Sequence, residues 1–170
     1  RGAFKDFCGL LKGLNRYKDV QLNKSTLKYT FTNGSYIEFF STDQPDKLRG
    51  ARRTDLYINE CNNIPFDAYQ QLVVRTSGNI WLDYNPSALF WVDKELIGKD
   101  DTDFITLTYK DNDSLPISIV KEIEKAKDKA KTSTYWANWW RVYGLGEVGS
   151  LEGACIPDWK EIDTVPQEAR

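Results

Sequence analysis

A chain of 170 residues, 41% hydrophobic and 14% aromatic, can bury the core of one α/β domain but not of two complete ones. Its net charge of -2 supplies no global field that draws it onto nucleic acid, so any such contact must rest on a local patch. With no histidine and only Cys8, Cys61 and Cys155 as thiols, the imidazole base, the Ser-His triad and the usual transition-metal spacings are excluded.

Chemistry here must therefore come from carboxylates, arginines, amides and a hard cation such as Mg²⁺. An odd number of scattered cysteines reads as free thiols in a reducing compartment. No run of about 18 apolar residues and no signal segment argues for membrane insertion or secretion, which predicts a cytosolic protein. Arg1 leads straight into an apolar-periodic stretch and Met is absent, so the chain reads as a fragment.

Residues 4–14 place Phe4, Phe7, Leu10, Leu11 and Leu14 at helical spacing, predicting a short amphipathic helix that packs one face on a sheet. Leu27, Tyr29 and Phe31 then alternate with polar residues, Asn33-Gly34 follows, and Tyr36, Ile37, Phe39 and Phe40 resume. That pattern predicts a β-hairpin with a type I′ turn. Residues 43–54 form a polar loop, punctuated by Pro45 and Gly50, with cations at Lys47, Arg49, Arg52 and Arg53. Leu56-Tyr57-Ile58 predicts a short buried strand, Pro65 opens a helix, and residues 78–87 give a second strand ending at Asn85-Pro86.

Residues 88–97 read as a helix and residues 103–112 as a third strand. Pro116 begins a Lys/Glu-rich helix over 116–131 whose mixed charges mark a solvated outer face. An aromatic helix stopped by Gly144 follows. From Gly149 the glycines and prolines are spaced like a linker, so 1–148 is assigned to one domain and 149–170 to a linker. Strand-helix-strand-helix-strand after a hairpin implies an α/β fold with a largely parallel sheet and an antiparallel addition.

The end of "LYINE", residues 56–60, carries the sharpest chemical signal. P-loop ATPases present two carboxylates at the carboxyl edge of a parallel sheet, one in the Mg²⁺ shell and the next polarising the attacking water. Glu60 occupies the second position. Asn59 occupies the first, with an amide oxygen but no charge to offset the cation. A solvated acid also ends many ordinary strands, so this motif alone leaves both readings open.

Three further features bear on the choice. Arg49 sits on the loop before this strand, where a planar guanidinium suits a phosphate, although a basic loop is also often merely solvated. Arg52 and Arg53 suit a DNA backbone equally well. Asn85 ends the strand expected beside the Glu60 strand, where an amide can sense a γ-phosphate or close a plain Asn-Pro turn. Trp136, Trp139, Trp140 and Tyr143 suggest base stacking, but their helical spacing belongs more often to a core. No G-x-x-x-x-G-K-[ST] loop occurs in the 170 residues.

In order and spacing, "SYIEFFSTDQPDKLRGARRTDLYINECNNIPFDAYQQLVVRT", "WLDYNPS", "YKDNDSLP" and "YGLGEVGSLEGACIPDW" resemble the ATPase domain of the large terminase subunit of tailed bacteriophages. The resemblance implies a P-loop NTPase-like α/β fold of the additional-strand, catalytic-Glu type. It implies that Glu60 activates water for ATP hydrolysis, that Arg49 acts on a neighbouring subunit's ATP, and that Asn85 lies in the segment coupling hydrolysis to DNA movement. Asn59 falls where that family often has an acidic Mg²⁺-shell residue.

Implied cofactors are ATP and Mg²⁺. Implied partners are double-stranded viral DNA, the portal protein, the small terminase subunit and further copies in a ring on the procapsid, in the cytoplasm of a bacterial host. The phosphate-binding loop is expected upstream of Arg1 and a nuclease domain downstream of Arg170, so the isolated chain is expected to be inactive. Two alternatives remain at this point: a non-catalytic DNA-binding or assembly module using the Arg cluster, and a fragment of another P-loop enzyme such as a helicase.

Overall fold

The structure, a computed structural model, describes residues 2–42, 50 and 52–150. The chain divides into two compact units, Arg1–Tyr84 and Asn85–Arg170. The first is mixed α/β. The second is helical among its described residues.

In the first unit, helix α1 (Gly2–Gly13) turns Phe4, Phe7 and Leu11 inward, residues three and four apart on one face. Phe4 and Phe7 each lie 5.4 Å from the Phe39 ring, and Phe7 meets Tyr29 edge-on at 5.6 Å. The helix thus packs on a sheet as its periodicity predicts, on a narrower stripe than expected: Leu10 and Leu14 are exposed. That sheet is antiparallel, in the order β1 (Leu22–Asn23), β2 (Lys28–Thr30), β3 (Tyr36–Glu38). Its centre is Tyr29, fully buried, whose hydroxyl accepts the Lys18 N–H and donates to Gln21 Oε1 at 2.6 Å.

The β2–β3 hairpin forms, but its turn is not type I′. Thr30 pairs with Tyr36 and Tyr29 with Ile37, one residue out of step with a two-residue Asn33-Gly34 loop. Gly34 N–H donates to the Phe31 carbonyl and only Gly34 has positive φ, at +88°. This is a three-residue loop with glycine in the left-handed position. Asn33 Oδ1 accepts the Ser35 N–H and hydroxyl, an Asx turn inside that loop.

Strands β4 (Leu56–Ile58) and β5 (Ile80–Leu82) pair in parallel, Leu56 opposite Ile80 and Ile58 opposite Leu82. Helix α2 (Phe66–Val73) connects them, burying Ala68, Tyr69 and Leu72. Leu56 and Ile58 are buried, whereas Tyr57 is 60% exposed, so the strand predicted as buried has one buried face. Gly78 fits the return because its N–H meets the Thr54 carbonyl at 2.6 Å, and a Cβ there would lie 2.8 Å from that oxygen.

In the second unit, α3 (Trp91–Glu95) is shorter than the predicted helix over 88–97, beginning where Asp93 accepts the Phe90 N–H. Residues 103–108 do not form the predicted strand. They carry its alternating pattern, but a strand needs a partner, and none pairs with them among the described residues. Phe104, Ile105 and Leu107 are exposed, and Thr108 and Asp111 close a short 3₁₀ turn instead. Parallel pairing among the described residues is therefore limited to β4 and β5 and the flanking Arg53–Thr76 bridge, not the largely parallel sheet expected.

Helix α4 (Ile117–Lys129) follows Pro116, buries Ala126, and carries Lys125–Glu122 and Lys127–Glu124 pairs on its outer surface. It packs on α5 (Thr134–Trp139), which continues as a π turn over Trp140–Gly144. Gly144 lies against the Trp140 ring, 2.4 Å from where a Cβ would stand. Gly149 and Ser150, at the start of the predicted linker, bond to the Pro86 carbonyl and to Asn138 Oδ1. Residues 151–170 lie outside the described residues.

Candidate active site

Strand β4 ends at Ile58, and the next two residues, Asn59 and Glu60, are both exposed. Glu60 takes the left-handed conformation, φ 53° and ψ 54°. For a residue with a Cβ this costs about 1–2 kcal/mol, and it persists only where surrounding contacts over-determine it.

Those contacts converge on Asp83, the residue after β5. Asp83 Oδ1 accepts the Glu60 N–H at 2.9 Å, and Oδ2 accepts the Tyr57 hydroxyl. The Asp83 N–H donates to the Ile58 carbonyl at 3.1 Å, and its carbonyl accepts the Cys61 N–H at 2.8 Å. On the other side, Asn63 Nδ2 donates to Glu60 Oε2 at 3.2 Å, and the Asn63 N–H to the Glu60 carbonyl. Glu60 is thus presented outward from a turn fixed before, at and after it.

The electrostatics follow from the same contacts. The hydrogen bond to Asp83, with some burial and the carboxylate's charge, pushes the Tyr57 phenol up to about 12. Burial, then the Asp83 charge, pushes the Cys61 thiol up to about 12. Both groups stay neutral at ordinary pH, and Cys61 serves as packing.

The other predicted residues have their own surroundings. Arg49 lies outside the described residues. Arg52 is exposed. Arg53 donates to the Leu72 carbonyl at 3.1 Å and sits 5.7 Å from the Phe40 ring centre, and burial together with neighbouring Arg75 lowers its pKa. With Arg75 on the Gln71 carbonyl, it places cations at the C-terminal end of α2, where the helix dipole favours them. Asn85 opens the second unit, exposed, its carbonyl accepting the Ser87 N–H in an Asn-Pro turn.

The four aromatics whose helical spacing belongs more often to a core engage one another and Tyr109. Trp136 meets Trp139 at 5.9 Å, Trp139 meets Tyr143 at 5.0 Å, and Trp140 meets Tyr109 at 6.1 Å. Asp83 is the residue that the sequence reading passed over. Its signal was available: "WLDY" ends an apolar strand in an acid, just as "YINE" does.

The model of the phage terminase large subunit family matches residues 2–147. The chain belongs to that family. A curated relative, the PBSX phage terminase large subunit of Bacillus subtilis (strain 168), is 27% identical over 154 residues, covering 74% of this chain and 36% of that protein. This terminase chain therefore spans about a third of the length of the relative it matches. No solved structure matches it. Among its described residues no helix is long and apolar enough to cross a membrane.

Proposed function

We propose that this chain is part of the ATP-hydrolysing motor of a terminase large subunit, with Glu60 as the carboxylate that polarises the attacking water. The observation that carries the reading is the presentation of Glu60: an exposed carboxylate two residues beyond the end of a parallel strand, held in a costly left-handed turn. Backbone strain of this kind concentrates at functional sites.

Asn59 and Glu60 offer amide and carboxylate oxygens, the hard donors Mg²⁺ takes. No group of three or more acidic, Cys or His side chains that could hold a metal occurs among the described residues. When bound with ATP, Mg²⁺ would neutralise charge on the phosphates. Glu60 would accept a proton from water, Asn59 would hold a metal-bound water, Asn85 would respond to the γ-phosphate, and Arg49 would donate to a phosphate. The fold is read as part of a P-loop NTPase of the additional-strand, catalytic-Glu type.

The parent protein would translocate double-stranded viral DNA into a procapsid, in a ring with the portal and small terminase subunit, in the cytoplasm of a bacterial host. A DNA-contact role in this chain falls more to Arg52 than to Arg53, whose guanidinium already serves the α2 terminus.

The test is ATP turnover by the intact terminase large subunit carrying this chain. Glu60→Gln should lower turnover by roughly 10²–10⁴-fold, the usual worth of a positioned general base. Undiminished turnover in that variant would overturn the reading. The isolated chain, with no phosphate-binding motif in its 170 residues, should show none.

A further inference from the structure

We infer that Asp83 is the positioning residue for Glu60, its carboxylate locking the turn that presents the Glu60 side chain. The inference rests on the role assigned to Glu60 above, and it concerns a residue on the neighbouring strand. Two donors must be satisfied at this strand end: the Glu60 N–H and the Tyr57 hydroxyl. A carboxylate offers an acceptor oxygen to each, whereas an amide offers one oxygen and an NH₂ that donates. The carboxylate accepts both bonds at once, whereas an amide would hold Oδ1 on the Glu60 N–H with its NH₂ turned to the Tyr57 oxygen, so it is loss of the side chain, not exchange for its isostere, that frees the Glu60 N–H.

The main chain of Asp83 closes the frame. It accepts from Cys61 and donates to Ile58, so the residues flanking the Asn59-Glu60 step are tied to the same residue that holds the Glu60 amide. Without the side-chain bond, the Glu60 peptide can rotate while its neighbours stay fixed. The raised Tyr57 pKa, about 12, agrees with a phenol that remains a donor to Asp83. The carboxylate absent at Asn59 is thus matched by one that β5 brings to the same strand end.

The experiment has a catalytic and a structural arm in the intact terminase large subunit. Asp83→Ala should lower kcat for ATP by about 10²-fold, the effect of displacing a reacting group by about 1 Å, with KM unchanged. In a Glu60→Gln background Asp83→Ala should cost nothing further, because it acts through Glu60. Hydrogen exchange at the Glu60 amide should accelerate in Asp83→Ala.

An unchanged kcat, a loss that adds to that of Glu60→Gln, or unchanged exchange at Glu60 would overturn the inference. If Glu60→Gln itself keeps full turnover, the catalytic reading fails, and the exchange arm still decides whether Asp83 holds the turn. Should Asp83→Ala not fold, Tyr57→Phe carries the test. It removes the second donor on the carboxylate and should lower kcat with KM held, and a wild-type kcat would count against Asp83.

Discussion

Asp83 Oδ1 lies 2.9 Å from the backbone nitrogen of Glu60, so the acid that ends one parallel strand holds the peptide of the acid that ends the other. The relationship converts two unremarkable strand ends into one rigid corner. Several measurable consequences arise from that corner and from the packing around it.

The left-handed conformation of Glu60 makes glycine and alanine distinguishable there. Both lose the carboxylate, but only glycine escapes the steric cost of φ 53°. Glu60→Gly should be more stable than Glu60→Ala by about 1 kcal/mol, read as a higher urea midpoint. Equal midpoints would show that the turn carries no strain.

Alkaline pH should erode the corner. Tyr57 ionises at about 12 when folded against its ordinary 10.0, so its contribution is intact below 10.0 and is lost as pH rises towards 12, where the unfolded chain has already released its proton. Tyr109, hydrogen-bonded to Glu124, behaves alike. Tyrosinate absorbance should resolve both as late-titrating phenols, and Asp83→Asn should return Tyr57 alone towards 10.0. A single early transition for all tyrosines would refute this.

Cys61 is fully buried and its thiol is held protonated. In a Cys8→Ser, Cys155→Ser background, alkylation of the native protein should be negligible at neutral pH and should become complete in urea. Rapid native-state labelling would mean that the Glu60 turn opens on its own.

Gly144→Ala should disrupt the π turn. A Cβ at this position meets Trp140 ring carbons at 2.4–2.7 Å, and overpacking of this kind costs about 1–3 kcal/mol. Thermal unfolding should show the loss as a lower midpoint, with a change in tryptophan fluorescence as Trp140 is displaced.

Local signals were legible in the sequence to the extent that local physics decides them. The helices at 2–13, 66–73 and 117–129 and the hairpin follow from apolar period and punctuation. The hairpin turn did not: Asn-Gly is compatible with loops of two or three residues, and Phe31 pairs with Ser35 across three. Residues 103–108 carry a strand's alternation but pair with nothing described, and pairing is a non-local property that no window of sequence contains. At the candidate site, Glu60 was visible as an acid ending a strand. Its left-handed turn and its hold by Asp83 depend on the parallel register of Ile58 with Leu82, which brings together residues 23 apart in the chain.

The turn around Glu60 is built mostly from main-chain donors and acceptors, with Asp83 and Asn63 as the side chains that bond to it. Such a corner is robust to drift. Exposed Asn62 is not restricted by packing, whereas buried position 61 is restricted by volume and position 83 by the bonds its carboxylate accepts.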